Sequence, residues 1–162
     1  MIDATPGCRF LERGGVWVLT QSVLLPALIL LGVMFHGDWT RVWLIVVGGG
    51  LFALGAVFGV AGMTVLGHSR TPFPKPPEHS EFVRRGIYAR VRHPLYTSVL
   101  LGSLGWALIW QSWPALTVAL ALIPFFLAKA RQEERWLREQ FPDYADYAQR
   151  VPGFIPRFWP SA

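Results

Sequence analysis

Residues Pro94 to Ala128, PLYTSVLLGSLGWALIWQSWPALTVALALIPFFLA, run for 35 positions without an Asp, Glu, Lys or Arg. A membrane-spanning helix needs about 20 apolar residues, so this run is too long for one straight crossing and short for two full ones. Gln111-Ser-Trp-Pro114 interrupts it near the middle. Pro114 suits the first turn of a helix, and Trp110 and Trp113 suit a membrane interface. The run is expected to form a tight helical hairpin whose returning helix continues past the membrane through Lys129 to Phe141.

Two further apolar runs lie on the N-terminal side. Gly15 to Phe35 is uncharged for 21 residues, and Val42 to Gly67 for 26. At 1.5 Å per residue the first spans about 30 Å, one hydrocarbon core. Arg9 and Arg13 precede it as they would a signal peptide, but the run is long for that role and no A-x-A-like cleavage site follows, so a retained helix, kinked at Pro26, is expected. The second run is rich in glycine, and Gly55-x-x-x-Gly59 invites close helix packing, within one chain or between two, which leaves homo-oligomerisation open. The fold class is therefore all-α: a single polytopic membrane domain over residues 1–162 with about four transmembrane helices. Residues 1–67 carry two of them, 68–93 form a cytoplasmic loop, 94–141 form the hairpin with its extension, and 142–162 form an irregular cytoplasmic tail. Pro72-Phe-Pro-Lys-Pro-Pro77 in the central loop reads as extended.

Composition agrees. Hydrophobic types make up 52% of the 162 residues and charged types 15%, below the roughly 25% of a soluble domain. A net charge of +5 would suggest nucleic acid for a soluble chain; here it suits basic loops facing anionic membrane lipids. Of 15 Lys and Arg, only Arg41 falls in the turn after the first helix and none in the hairpin turn. The positive-inside rule then places both termini and the central loop in the cytoplasm, in a plasma membrane (the inner membrane of a bacterial cell). The single cysteine, Cys8, excludes an intrachain disulfide and a thiolate metal cluster.

The hairpin makes neighbours of Arg90-Val-Arg-His-Pro-Leu-Tyr96 and Lys129-Ala-Arg-Gln-Glu-Glu-Arg-Trp-Leu-Arg138. On a helix, Leu127, Ala130, Glu134, Leu137 and Phe141 form one stripe. Glu134 interrupts that apolar face, which marks it as a functional candidate. Glu133 lies about 100° around the helix, where an i,i+4 pair with Lys129 accounts for it. His36, His68, His79 and His93 show no metal-ligand spacing, and no G-x-S-x-G, G-x-G-x-x-G or P-loop motif is present.

Gly86-Ile-Tyr88, Arg92-His-Pro-Leu-Tyr96, an apolar hairpin, Glu133-Glu134, Phe141-Pro-Asp-Tyr-Ala-Asp-Tyr147 and Arg150-Val-Pro-Gly-Phe-Ile-Pro156 follow one another in this order. The set resembles the isoprenylcysteine carboxyl methyltransferase family and the related phospholipid methyltransferases, over about Glu81 to Pro156. The chain departs from that pattern at Ile87, where a proline is common, and at Gly153, where an arginine is common. The resemblance implies a membrane methyltransferase using S-adenosylmethionine, bound in a cytoplasm-facing pocket built from the C-terminal half. It nominates Arg92, His93, Tyr96, Glu133 and Glu134 as cofactor-binding, with Tyr88 and the region of Tyr147 added. It makes Arg92 and Glu134 the catalytic candidates and calls for no metal. Pro94 is expected to turn the chain so that Arg92 and His93 point in different directions, one to the cofactor and one to the loop. The acceptor would be a hydrophobic small molecule or a lipidated one, bearing a carboxylate, thiol or amine. Competing readings are a membrane NADPH-dependent reductase of the sterol-reductase type and a non-enzymatic subunit that binds lipid or a partner protein.

The charge distribution sets a direct test of topology. In a Cys8→Ser background, a cysteine placed at Ser112 should react with an impermeant thiol reagent on intact cells and one at Ser80 should not. The opposite pattern would invert the arrangement.

Overall fold

The computed structural model describes residue 10, residues 13–67, residues 73 and 75, and residues 82–156. Cys8, His68, His79, Ser80 and most of the proline-rich loop lie outside them. The described residues form five α-helices and a 3-10 helix, with no strand among them: α1 Gly15–Met34, α2 Val42–Leu66, the 3-10 helix Gly86–Ala89, α3 Pro94–Ile109, α4 Trp113–Gln140 and α5 Tyr144–Arg150. The chain is an all-helical polytopic membrane protein. α1, α2 and α4 are long and apolar enough to cross a membrane, and α3 is a shorter apolar helix of 16 residues. The two N-terminal helices lie where the apolar runs place them, and α1 continues through Pro26.

The expected hairpin forms. Pro94 begins α3, and His93 at its N-cap is held out of helical geometry (φ −121°, ψ 59°) by the proline that follows. Ser112 caps α4, its hydroxyl accepting from the Ala115 N–H and donating to the Leu31 carbonyl of α1. That hydroxyl is buried (2% exposed), so the residue suited to thiol labelling at this turn is its neighbour Trp113, 77% exposed. The turn after α1 is tied to the hairpin turn. Gly37 donates its N–H to the Trp110 carbonyl (2.9 Å), the Trp39 indole donates to the Ile109 carbonyl (3.1 Å), and the Gln111 amide donates to the Arg41 carbonyl (3.2 Å). Both turns therefore sit at one end of the bundle, and the charged segments gather at the other.

Helices consecutive in the chain are not always neighbours. α2 packs along α3, while α1 packs along α4 and the hairpin stands between them. The α2–α3 contact is a glycine seam. A Cβ at Gly48 would lie 2.8 Å from the Gly105 carbonyl oxygen, one at Gly55 2.9 Å from the Ser98 carbonyl oxygen, and one at Gly105 2.6 Å from the Gly48 carbonyl oxygen. Gly55-x-x-x-Gly59 thus works within the chain. Lipid gives no hydrophobic drive to such a contact, which depends on backbone approach and dispersion instead.

The tail departs from expectation. Residues 144–150 are helical, because Tyr144 and Tyr147 share a face that is buried against the rest of the protein. The burial of α4 also differs from the expected stripe. Ala115, Ala119, Leu122, Phe126 and Ala130 are buried, whereas Leu127 is 37% exposed. The packed face is rotated by about one residue, because it is set by α1 and α3 rather than by where the leucines fall.

Two glycines one residue apart on α2 should respond oppositely. Gly48→Ala drives a methyl into backbone and should lower the unfolding temperature in detergent, by about 1–3 kcal/mol of stability. Gly49→Ala meets nothing within 4 Å and should be neutral or stabilising through its better helix propensity. Equal effects would remove the seam from the account of the fold.

Candidate functional site

The site forms where the hairpin emerges from its apolar length. Arg92 and His93 approach α3 in a bent, non-helical segment that runs beside the C-terminal chain. The Arg92 N–H donates to the Pro152 carbonyl and the His93 N–H to the Gly153 carbonyl, both at 2.9 Å. Thr97, one turn into α3, donates its hydroxyl to the Phe154 carbonyl (2.9 Å). Upstream, Gly86 begins the 3-10 helix at φ +61°, in the left-handed region, with its α-carbon against the Val65 side chain. A side chain there would be strained and crowded, which explains glycine at the start of Gly86-Ile-Tyr88.

Glu134 is the centre of the site. Its Oε1 accepts from Arg92 Nε (3.0 Å) and from His93 Nε2 (2.8 Å), and Arg92 Nη2 lies 2.9 Å from the same oxygen. Both side chains of the ion pair are 16% exposed. Arg92 Nη1 donates to the carbonyls of Ala148 and Val151, at the end of α5. One guanidinium thus clamps the carboxylate and closes the last turn of the C-terminal helix. Arg92 and His93 do not diverge as expected. The bend before Pro94, held by the main-chain bonds to Pro152 and Gly153, leaves both side chains turned toward α4, where they share one oxygen.

Glu133 faces the same space from the adjacent position. It accepts from the Tyr96 hydroxyl (2.5 Å), and its Oε2 lies 3.9 Å from His93 Nδ1. The His93 ring is stacked on Tyr96, at 5.3 Å and nearly parallel, and has the tilted Phe154 ring at 5.6 Å. Glu133, about 100° around α4 from Glu134, is also turned inward, because the N-terminal turn of α3 supplies a hydroxyl there. Lys129 is buried (2% exposed), donates to the Gln21 amide oxygen of α1 (2.7 Å) and lies over the Tyr96 and Phe126 rings. It links the first helix to this end of α4, which the i,i+4 argument did not anticipate.

Three tyrosines complete the site. The Tyr147 hydroxyl donates to the Tyr88 carbonyl (2.6 Å), fastening α5 to the 3-10 helix. Burial pushes the Tyr147 phenol up to about 12, with nearby Glu134 adding to the rise and Arg92 opposing it. Tyr88 and Tyr144 are pushed further up, again chiefly by burial. All three stay protonated at neutral pH and so remain hydrogen-bond donors. The Tyr144 hydroxyl is buried and has no hydrogen-bond partner among the described residues. Arg92, His93, Tyr96, Glu133 and Glu134 thus make one connected network. Tyr88 joins it through the 3-10 helix that carries it and through the charge of Glu133. Tyr144, Thr97 and Lys129 were not singled out by sequence. For Tyr144 a signal was available: its i,i+3 spacing to Tyr147 places two aromatics on one face of a short helix. Among the described residues no group of three or more His, Cys, Asp or Glu could hold a metal ion.

This geometry can be set beside known proteins. Residues 43–144 match the family model described as phospholipid methyltransferase. The cobalt-zinc-cadmium resistance protein CzcN of Cupriavidus metallidurans is 32% identical over 147 residues, covering 90% of this chain and 64% of that protein. The nickel-cobalt-cadmium resistance protein NccN of Alcaligenes xylosoxydans xylosoxydans is 33% identical over 147 residues, covering 90% and 65%. The protein-S-isoprenylcysteine O-methyltransferase B of Arabidopsis thaliana is 30% identical over 128 residues, covering 76% and 65%. The chain therefore spans just under two thirds of the length of these curated relatives. The family match takes in α3, α4 and every residue of the Arg92–His93–Tyr96–Glu133–Glu134 network, and the chain belongs to the phospholipid methyltransferase family, to which the isoprenylcysteine methyltransferases are related.

Proposed function

We propose that the protein is an integral membrane methyltransferase that uses S-adenosylmethionine and methylates a hydrophobic, lipid-like acceptor. The observation that carries this is the pair of adjacent carboxylates on α4, each held by different donors of the α3 segment. The donor set fits the cofactor: two carboxylates suit its ammonium group and ribose hydroxyls, and Arg92 and the buried Tyr144 phenol offer donors to its oxygens. When bound, S-adenosylmethionine supplies a methyl group already activated on a sulfonium centre.

Catalysis is then chiefly a matter of position. Glu134 is the proposed contact residue, and Arg92 and His93 fix its rotamer from two sides. Tyr96 does the same for Glu133. The Glu134 carboxylate would also lend negative charge to a bound cationic centre, in a site too sheltered for water to screen it fully. A carboxylate or thiolate acceptor needs no general base during transfer, whereas an amine or thiol must lose a proton at some stage. The lipid-facing helices on either side of the site support an acceptor that arrives from the bilayer. The plant relative is named for an isoprenylcysteine acceptor, which is of that kind. The cation distribution supports a cytoplasmic site, reached by the soluble cofactor from one side and the acceptor from the other.

Calorimetric titration of the purified protein tests the reading. S-Adenosylhomocysteine should bind in the micromolar range, about −8 kcal/mol, and NADPH should not. Binding of NADPH alone would replace the methyltransferase with a reductase. Glu134→Gln should weaken S-adenosylhomocysteine by about 1–3 kcal/mol, the scale of a hydrogen bond to a charged group. Unchanged affinity in the folded variant would return Glu134 to a purely structural role.

Arg92→Lys tests positioning. An ammonium cannot reach Glu134 Oε1 and two carbonyls at once, because it lacks the planar fork. The variant should insert into the membrane yet lose most turnover, and amide exchange in residues 148–151 should quicken. Near-normal turnover with unchanged exchange would show that the fork is dispensable.

A further inference from the structure

Tyr144 is 1% exposed, and its hydroxyl has no partner among the described residues. A buried hydroxyl left unpaired forfeits the hydrogen bonds it would make to water, and most proteins avoid it. The ring is fixed rather than loose, lying 5.4 Å from Phe82 and 5.8 Å from Tyr147. Tyr144 stands one helical turn before Ala148, on the same face of α5, and the Ala148 carbonyl receives Arg92 Nη1. The charges that bear on the hydroxyl are those of Glu134, Arg92 and Glu133. The neighbouring phenol, Tyr147, spends its proton on the Tyr88 carbonyl, so the two tyrosines of this face differ in one respect: one is paired within the protein and the other is not.

We infer that the Tyr144 hydroxyl is a ligand donor, giving its hydrogen bond to an oxygen of the bound cofactor beside the Arg92–Glu134 pair. This rests on the proposal that the site takes S-adenosylmethionine. It adds a contact residue on α5 and gives the C-terminal helix a part in binding. A carboxylate or ribose oxygen is the acceptor class, since a protonated phenol donates to either.

The test compares Tyr144→Phe with Tyr147→Phe in the full-length protein. Tyr144→Phe removes a hydroxyl that has no partner in the free protein, so the unfolding temperature without ligand should hold or rise. Its affinity for S-adenosylhomocysteine, measured by calorimetry, should fall about five- to twenty-fold. Tyr147→Phe breaks an internal hydrogen bond and should lower the unfolding temperature without ligand. Wild-type protein that binds S-adenosylhomocysteine, together with Tyr144→Phe that binds it equally well, would overturn the inference alone. Wild-type protein that does not bind it would overturn both the inference and the proposed function. A drop in unfolding temperature for Tyr144→Phe with no change in affinity would assign the hydroxyl a structural role and overturn the inference too.

Discussion

Glu134 Oε1 accepts from the Arg92 guanidinium and the His93 ring, and the placement of three chain segments follows from that shared oxygen. Arg92 and His93 lead into α3, Glu134 stands on the extension of α4, and Arg92 reaches on to the carbonyls that end α5. Each segment alone would be a short polar stretch beside a membrane, with no core of its own. A largely buried carboxylate is tolerable when a guanidinium and a further donor meet it, and removing Arg92 would leave its charge without compensation. The main-chain bonds from Arg92 and His93 to Pro152 and Gly153 add a second, charge-independent fastening. The C-terminal residues are thereby part of the site rather than an appendage to it.

The membrane-embedded half solves a different problem. Its helices are apolar all round, so burial of apolar surface does little to choose one arrangement over another. The glycine seam chooses. Gly48 and Gly55 of α2 meet Gly105 and the Ser98 carbonyl of α3 at backbone distance, and any larger residue would hold the helices apart. With α3 fixed against α2, its first turn is fixed as well. That turn carries Tyr96 and Thr97, whose hydroxyls reach Glu133 and the Phe154 carbonyl. Interhelical contact within the bilayer thus sets the register of side chains outside it.

Much of this was legible in the sequence because it depends on local rules. The 35-residue uncharged run, the Ser112-Trp-Pro114 interruption and the absence of cations near it suffice for a hairpin. That hairpin brings Arg92 and His93 to Glu133 and Glu134. The parts that were not legible depend on contacts between distant segments. Helical periodicity put Leu127 and Ala130 on one inner face; Ala130 is buried there, but α1 and α3 bury Phe126 in place of Leu127. Three prolines among the last residues suggested an irregular tail, yet two tyrosines in α5 had a surface to bury against. Arg92 and His93 were expected to diverge, and only the pairing with Pro152 and Gly153 shows why both turn the same way. Lys129 donates to Gln21, more than a hundred residues earlier, and no spacing rule reaches so far.

The unequal lengths of α3 and α4 explain why the site sits where it does. At 1.5 Å per residue, the 16 residues of α3 cover about 24 Å and the 28 of α4 about 42 Å. The two helices start from one tight turn, so the excess of α4 emerges at the opposite end. Lys129 lies level with Tyr96, in the first turn of α3, and Glu133 and Glu134 follow one turn later. Had α3 been as long as α4, those carboxylates would face the side of a helix. Because it stops short, they face its N-terminus and the non-helical segment before it. There Arg92 and His93 are free of helical constraint and can turn inward. Unpaired N–H groups at that N-terminus also favour negative charge. A shortened helix beside a long one therefore creates both the space and the electrostatic setting for two acidic side chains at the membrane boundary.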